Sequence, residues 1–597
     1  MTEVDHYINP LRANGNPKSW IVIAASSLLG GDRSGYSQTW RRASAQFHRN
    51  MPSGETRERK TSYDTPERLW ADISSWCGSG GLTFLWAHNL QWTARVTGLL
   101  EQLPAIGWTL DAFALNPGAS WMVWRNGRAT LKIADTLSVW PHGIDWLGSM
   151  FGLGRKKMPP VGAPWHEWDS YTTRDRDILV RAVASYMWWV EENGLGTLAV
   201  TGNSQAWKGF RRRFLIHPIL VHHDESLLAM ERRAMWTGRC EAYWRGSLLR
   251  EVVDEWDFTM AHNTIARTER IPTVPHMPIG PGSDLAKLLE DERYAVLAEV
   301  EVQTDVPCVP MARQGQICWP TGRFHTVLWS PELRIALDQC RDIRVVAGQL
   351  YRAESALKGW AEWVAAHMDA EDLAVPLWAK DILKRWSNIL VGRFGMRYPK
   401  WRKVGQAPTS MVSAAALTDS DGEDLGAIIQ VGHDIWEQAG WSLPRDHAPA
   451  ITGYVMSAMR ARLWRLMNCL PAEALLYVDT DSVLIPDHFR REMDIVSRQP
   501  GMEGLRLKRS WDGLSIYGPR QLVTGDSVRV AGLPKVAQRL GRNDFEGEVT
   551  ESLLEALKAG HSSAVRSTPR QWTIVGEDTR REGTGFGWTK PFTVNEV

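Results

Sequence analysis

The sequence predicts a multidomain α/β protein, and three observations lead there. The chain has 597 residues, enough for three or four domains that each bury a core of their own. Short apolar, β-branched runs alternate along it with stretches whose apolar residues recur at helical spacing. One run, Leu475-Leu476-Tyr477-Val478-Asp479-Thr480-Asp481-Ser482-Val483-Leu484-Ile485, reads as two buried strands joined by a tight turn.

The elements follow in chain order. Residues 20–25 read as a buried strand, 60–67 as a charged connector, 82–86 as a second strand and 94–103 as a helix. Ile178, Leu179, Ala182, Val183 and Met187 fall at helical spacing, in a pattern opened by Tyr171 and Asp175. The chain turns basic and aromatic from 202 to 250, where Lys208, Arg211, Arg212 and Arg213 cluster. Residues 294–302 alternate as a strand, Ser330 is placed to cap a helix, and 343–346 read as another strand. Lys380, Lys384 and Asn388 are spaced by four and share one face of a helix ending near Gly395. Residues 419–424 read as an exposed acidic loop, 448–464 as a helix of many small residues, and 505–509 and 516–522 as strands.

Composition bounds the function. A net charge of +1 carries no global nucleic-acid signature, although a lined cleft needs only local charge. Six cysteines without a Cys-x-x-Cys pair argue against a zinc site or a disulfide framework and point to a reducing, cytoplasmic setting. Residues 1–16 are polar with no signal core, and no apolar run is long enough for a membrane span. Most of the 32 tryptophans are read as core or interface anchors.

The chemistry concentrates at Asp479 and Asp481. Two carboxylates on a rigid strand-turn-strand are costly unless a cation meets them. Hard oxygen donors suit Mg²⁺ or Mn²⁺. A surface acidic turn is the simpler reading, but the continuous apolar arms argue against it. The face carrying Lys380, Lys384 and Asn388 suits a triphosphate, with lysines as point charges and the amide as an orienting group.

Tyr477-x-Asp479-Thr480-Asp481-Ser482 resembles the signature hairpin of family B DNA polymerases. The layout is similar to that of the short phage and plasmid members related to protein-primed enzymes. Lys384, Asn388, Gly392, Arg393, Phe394 and Gly395 match the family's nucleotide-binding helix, although Ile389 and Val391 stand where Ser and Tyr are usual. The resemblance implies a right-hand polymerase of palm, fingers and thumb, preceded by an RNase H-like 3′–5′ exonuclease-fold domain. Residues 1–200 would be exonuclease-like, 201–350 the first part of the palm with an insertion, 351–400 the fingers, 401–500 the second part of the palm and 501–597 the thumb.

The resemblance also implies roles. Asp257, Asp479 and Asp481 would be catalytic, with two Mg²⁺ (or Mn²⁺) ions on Asp257, Asp481 and the Phe258 carbonyl. Asp254 competes with Asp257 for the first position. Asp257 is preferred because it sets His262 at the sugar-stacking position and Pro272 at the spacing of the short members. Phe258, His262, Lys380, Lys384 and Asn388 would bind the nucleotide. Gly238, Arg239, Tyr477, Thr480, Lys508 and Arg520 would meet DNA, and Arg580-Arg581 are further candidates for phosphate. Residues 530–535 resemble the Gly-x-Pro-Lys turn that often follows.

The upstream domain departs from the family. The first strand ends in Ala24-Ala25-Ser26-Ser27 where two acids are usual, and Thr93 stands at the aspartate position after His88-Asn89. Asp175 alone survives, so Asn89 and Asp175 are vestiges, and one carboxylate cannot hold the two ions that proofreading needs. A shifted alignment would bring in Asp32 or Asp64 instead. The implied partners are DNA template and primer, dNTPs and, from the protein-primed layout, a terminal protein; no membrane is implied. Two alternatives stay open: a catalytically degenerate polymerase fold that binds nucleic acid, and a protein-primed or template-independent nucleotidyltransferase.

Overall fold

The structure, a computed structural model, describes residues 4–595 except 33–34, 52, 54, 117, 370–374, 419–423, 525–527, 535–536, 542, 577 and 584–586. Three sheets organise these residues. In the N-terminal sheet, Ser19–Asp32 runs antiparallel to Gly35–Asn50 and parallel to Gly80–Ala87, and Arg128–Asp135 continues the parallel run beyond Gly80–Ala87. Ile21, Val22 and Ile23 are fully or almost fully buried, as a strand covered on both faces requires. The long helix Trp165–Glu192 packs across the first two strands, burying the apolar stripe of Ile178, Leu179, Ala182 and Val183.

The central sheet has the order Cys240–Ala242, Tyr477–Asp479, Ser482–Pro486, Trp244–Phe258, Leu505–Gly518, Gln521–Thr524, Val528–Val530, and Gly587–Trp588 pairs with the start of Trp244–Phe258. A five-stranded sheet of Ile271–Ile279, Asp342–Glu354, Tyr294–Thr304, Thr321–Trp329 and Thr593–Asn595 lies beside it in sequence. The helix Pro449–Asn468 is buried along most of its length. It packs on Leu377–Gly395, Ser330–Gln339, Ala261–Thr268 and Glu225–Arg233. Gly453 permits one of these approaches, since a Cβ there would stand 2.6 Å from Trp329 Nε1. No helix among the described residues is long and apolar enough to cross a membrane.

The C-terminal chain is spread over all three sheets. Val565–Thr573 adds to the N-terminal sheet through Gly35–Asn50, Gly587–Trp588 adds to the central sheet, and Thr593–Asn595 adds to the five-stranded one. The strand Leu505–Gly518 pairs with the carboxylate strand Trp244–Phe258.

Several local expectations are corrected. The span 94–103 is two short helices, Leu90–Val96 and Leu99–Ala105, parted at Gly98, whose φ of 59° is left-handed. The connector 60–67 is a strand, Thr56–Tyr63, then a helix capped by Thr65. Ser330 does not cap its helix; its hydroxyl instead accepts from the Val296 backbone at 2.6 Å, stapling helix to strand. The span 516–522 contains a turn at Pro519-Arg520 between two strands. Residues 419–423 of the acidic loop and Lys535 of the Gly-x-Pro-Lys turn lie outside the described residues. Asp424 opens a strand, Asp424–Ser442, that pairs with Tyr398–Thr418 as a long hairpin.

Candidate active site

Asp257 stands near the end of Trp244–Phe258, directly opposite Ser482. Asp479 ends Tyr477–Asp479 opposite Cys240, and the turn between brings Asp481 next to both. Thr480 forms the tip with φ of 60°, a conformation costly for a β-branched residue. The surroundings hold it there. Its N–H donates to the Arg239 carbonyl at 2.7 Å and its hydroxyl to Asp479 Oδ1 at 3.1 Å. The Asp481 N–H donates to the Asp479 carbonyl at 2.7 Å, and the Phe258 N–H donates to the Asp481 carbonyl at 2.9 Å. Turn and strand end are thereby tied together.

Burial pushes the Asp481 carboxyl up to about 6, and the negative charge of Asp257 adds to the shift. Lys508 opposes it with Nζ 2.5 Å from Asp257 Oδ2. The two candidates on this strand have different surroundings. Asp254 is fully buried and bonded by Arg490 through both carboxylate oxygens at 2.6 Å, with Ser510 as a further donor. It is spent on packing, whereas Asp257 faces the turn.

Among the described residues, no group of three or more His, Cys, Asp or Glu side chains is gathered into a metal cage. The donor set nonetheless suits a hard divalent cation. It consists of carboxylates, with Asp481 raised first by burial and then by the charge of Asp257, and Asp257 is paired with Lys508.

The other site residues fall into two groups. His262 lies in Ala261–Thr268, which packs against Lys358–Asp369 and Leu377–Gly395 and is fastened by Asn263 Nδ2 donating to the Ala361 carbonyl at 3.0 Å. Burial lowers the His262 pKa and keeps the ring neutral. On Leu377–Gly395, Lys384 and Asn388 are exposed while Ile382, Leu383, Trp386 and Leu390 are buried. Lys380 is half-buried and donates to the Met368 carbonyl at 3.2 Å.

Five residues expected at DNA are packed against or bonded to neighbouring protein groups. Arg239 is 1% exposed. It pairs with Glu241 at 2.6 Å, donates to the Pro307 carbonyl and the Tyr243 hydroxyl, and lies between the rings of Trp319 and Trp464. Tyr477 is buried, with its hydroxyl 3.2 Å from Cys240 Sγ and accepting from the Arg520 N–H at 2.9 Å. Gly238 packs on the turn, because a Cβ would come within 2.5 Å of Thr480 Oγ1. Arg581 is buried on Glu241 at 3.0 Å, and Arg580 donates to the Cys240 carbonyl. Arg520 stays exposed on its turn. Sequence reasoning missed Glu255, which pairs with Lys508, Arg509 and Arg529. No motif marks this cluster; the pairing of Trp244–Phe258 with Leu505–Gly518 brings Lys508 and Arg509 to Glu255, and Arg529 comes from the strand Val528–Val530.

The upstream cleft is a cavity of about 270 Å³ lined by Ala24, Ala25, Ser26, Ser27, His88, Asn89, Thr93, Tyr171 and Asp175, with Arg155 among them. The positions aligned from sequence therefore do converge. Arg155, which the sequence did not single out, bonds both Asp175 oxygens at 2.9 Å, Asp145 at 3.1 Å and the Tyr171 hydroxyl. Asn89 spends its side chain capping Leu90–Val96. Asp64 pairs with Arg68 and is exposed.

No protein-family model matches the chain, and no curated protein matches it in sequence. Solved structures do. Phi29 DNA polymerase, complexed with primer-template DNA and incoming nucleotide substrates, is similar with a TM-score of 0.63 at 14% identity, over 94% of this chain and 100% of that one. The same polymerase complexed with single-stranded DNA is similar with a TM-score of 0.61 at 14% identity over the same shares. The chain therefore has the multidomain α/β fold of that DNA polymerase.

Proposed function

We propose that this protein is a template-directed DNA polymerase that extends a primer 3′-OH with dNTPs and lacks proofreading. The observation that carries the proposal is the placing of Asp257 and Asp481 against each other across a tied strand-turn, on the fold of an enzyme solved with primer-template DNA. Asp257, Asp481 and the Phe258 carbonyl would hold two Mg²⁺ or Mn²⁺ ions, with Asp479 supporting them from the same turn. Such ions, when bound, lower the pKa of a primer hydroxyl and neutralise the triphosphate and leaving pyrophosphate.

The chain's own residues do the positioning. Lys384 and Lys380 would hold the triphosphate as point charges, and Asn388 would orient base or sugar. His262, flat and neutral, would lie under the incoming sugar. Thr480, Arg520 and the basic strand at Lys508 would face the primer end. In this reading the central-sheet strands up to Pro486 belong to the palm, Lys358–Asp369 and Leu377–Gly395 to the fingers, and residues 501–597 to the thumb. The N-terminal sheet would be an exonuclease fold without its chemistry, since Arg155 sits on the one remaining carboxylate of that cleft.

The test is primer extension by the full chain with Mg²⁺ and dNTPs, on a templated duplex, on an untemplated primer and on a protein hydroxyl. Template-directed extension supports the proposal. Incorporation only without template, or only onto protein, would assign a different nucleotidyltransferase. No incorporation anywhere would leave a binding module.

A further inference from the structure

We propose that Lys508 is a positioning residue that sets the divalent-cation affinity of the carboxylate site, holding Asp257 with its own ammonium until a divalent cation displaces it. The inference rests on the polymerase reading of that site and deepens it.

The backbone places Lys508 there. Leu505–Gly518 pairs with Trp244–Phe258 through Glu255↔Arg509 and Trp256↔Leu507, so Lys508 is the extra residue of a β-bulge. Bulges re-aim a side chain and bend the strand locally. Glu255 and Asp257 are two residues apart and share a face. From the bulge, Lys508 Nζ reaches Asp257 Oδ2 at 2.5 Å and Glu255 Oε1 at 3.2 Å.

The two carboxylates depend on it unequally. Glu255 is also paired with Arg509 at 3.2 Å and with Arg529 at 3.1 Å, and both guanidiniums lie over the Trp511 ring. Glu255 thus stays neutralised if Lys508 leaves. Asp257 forms no other ion pair among the described residues. An ammonium and a divalent cation cannot both occupy the same carboxylate oxygen, so the two compete for Asp257. Lys508 is 39% exposed, and its flexible stem gives the ammonium a route off the carboxylate into solvent.

The experiment is Mn²⁺ binding by the full chain without DNA, read from the free-ion electron paramagnetic resonance signal. Lys508→Met keeps much of the stem and removes the competitor. It is expected to bind Mn²⁺ about two- to fivefold more tightly. Lys508→Arg keeps the charge and is expected to retain the native affinity, while Asp257→Asn is expected to lose the binding. A gain of affinity is a readout that misfolding does not produce. Equal or weaker binding by Lys508→Met, or equal tightening by Lys508→Arg, with Asp257→Asn still deficient, would overturn the role of Lys508 and leave the polymerase reading standing. No Mn²⁺ binding by the native protein, or binding indifferent to Asp257→Asn, would overturn both.

Discussion

At the residue scale, the Asp479-Thr480-Asp481 turn depends on an absent side chain. Gly238 leaves room for Thr480, whose Cβ would stand 2.8 Å from a Cβ placed there. Thr480 is stiff at χ1 and already left-handed, so it cannot give way cheaply. Gly238→Ala is expected to cost about 1–3 kcal/mol of stability and to slow primer extension, checked by denaturant unfolding and by extension rate. His88 gives a pH signature on the other side of the molecule. Burial lowers its pKa from 6.5 to about 4. Between those values the unfolded chain binds the extra proton, so folding stability falls as pH drops from 6.5 towards 4. His88→Asn is expected to flatten that part of a stability-against-pH curve. An unchanged slope would contradict the assignment.

At the element scale, the sequence was most informative where one short run carries its own pattern. The apolar arms around Asp479 and Asp481 marked the hairpin, and the spacing of Lys380, Lys384 and Asn388 marked a helix found at Leu377–Gly395. Roles that depend on what packs from elsewhere were not legible. Arg239 and Arg581 look like DNA contacts in a linear reading, yet both are drawn onto the fully buried Glu241 from positions far apart in the chain. The same blindness hid Arg155, whose meaning depends on facing Asp175 across the cleft. Glu241→Ala would leave two buried guanidiniums without their acid. It is expected to destabilise the fold by about 3–5 kcal/mol in urea unfolding. On the exposed helix face, Lys384→Ala is expected to raise KM for dNTPs by about tenfold or more while leaving the melting temperature near native. An unchanged KM would remove Lys384 from the nucleotide site.

At the scale of the whole molecule, the N-terminal cleft and the central sheet carry different charge arrangements. Among the described residues lining the N-terminal cleft, Asp175 is the carboxylate, and Arg155 pairs with it. In the central sheet, Lys508 is the ion-pair partner of Asp257 among the described residues. The C-terminal chain joins both sheets through Val565–Thr573 and Gly587–Trp588, so the N-terminal sheet is built into the molecule. The native protein with Mg²⁺ is expected to leave 3′-ended single strands unshortened; robust degradation on a denaturing gel would contradict the proposed lack of proofreading. The most direct measurement compares native protein with Asp481→Asn in templated primer extension with Mg²⁺ and dNTPs. Extension by the native protein and its loss by a factor of about 10³ or more in the variant is the predicted result. Equal extension by both, or none by the native protein, would contradict the central claim.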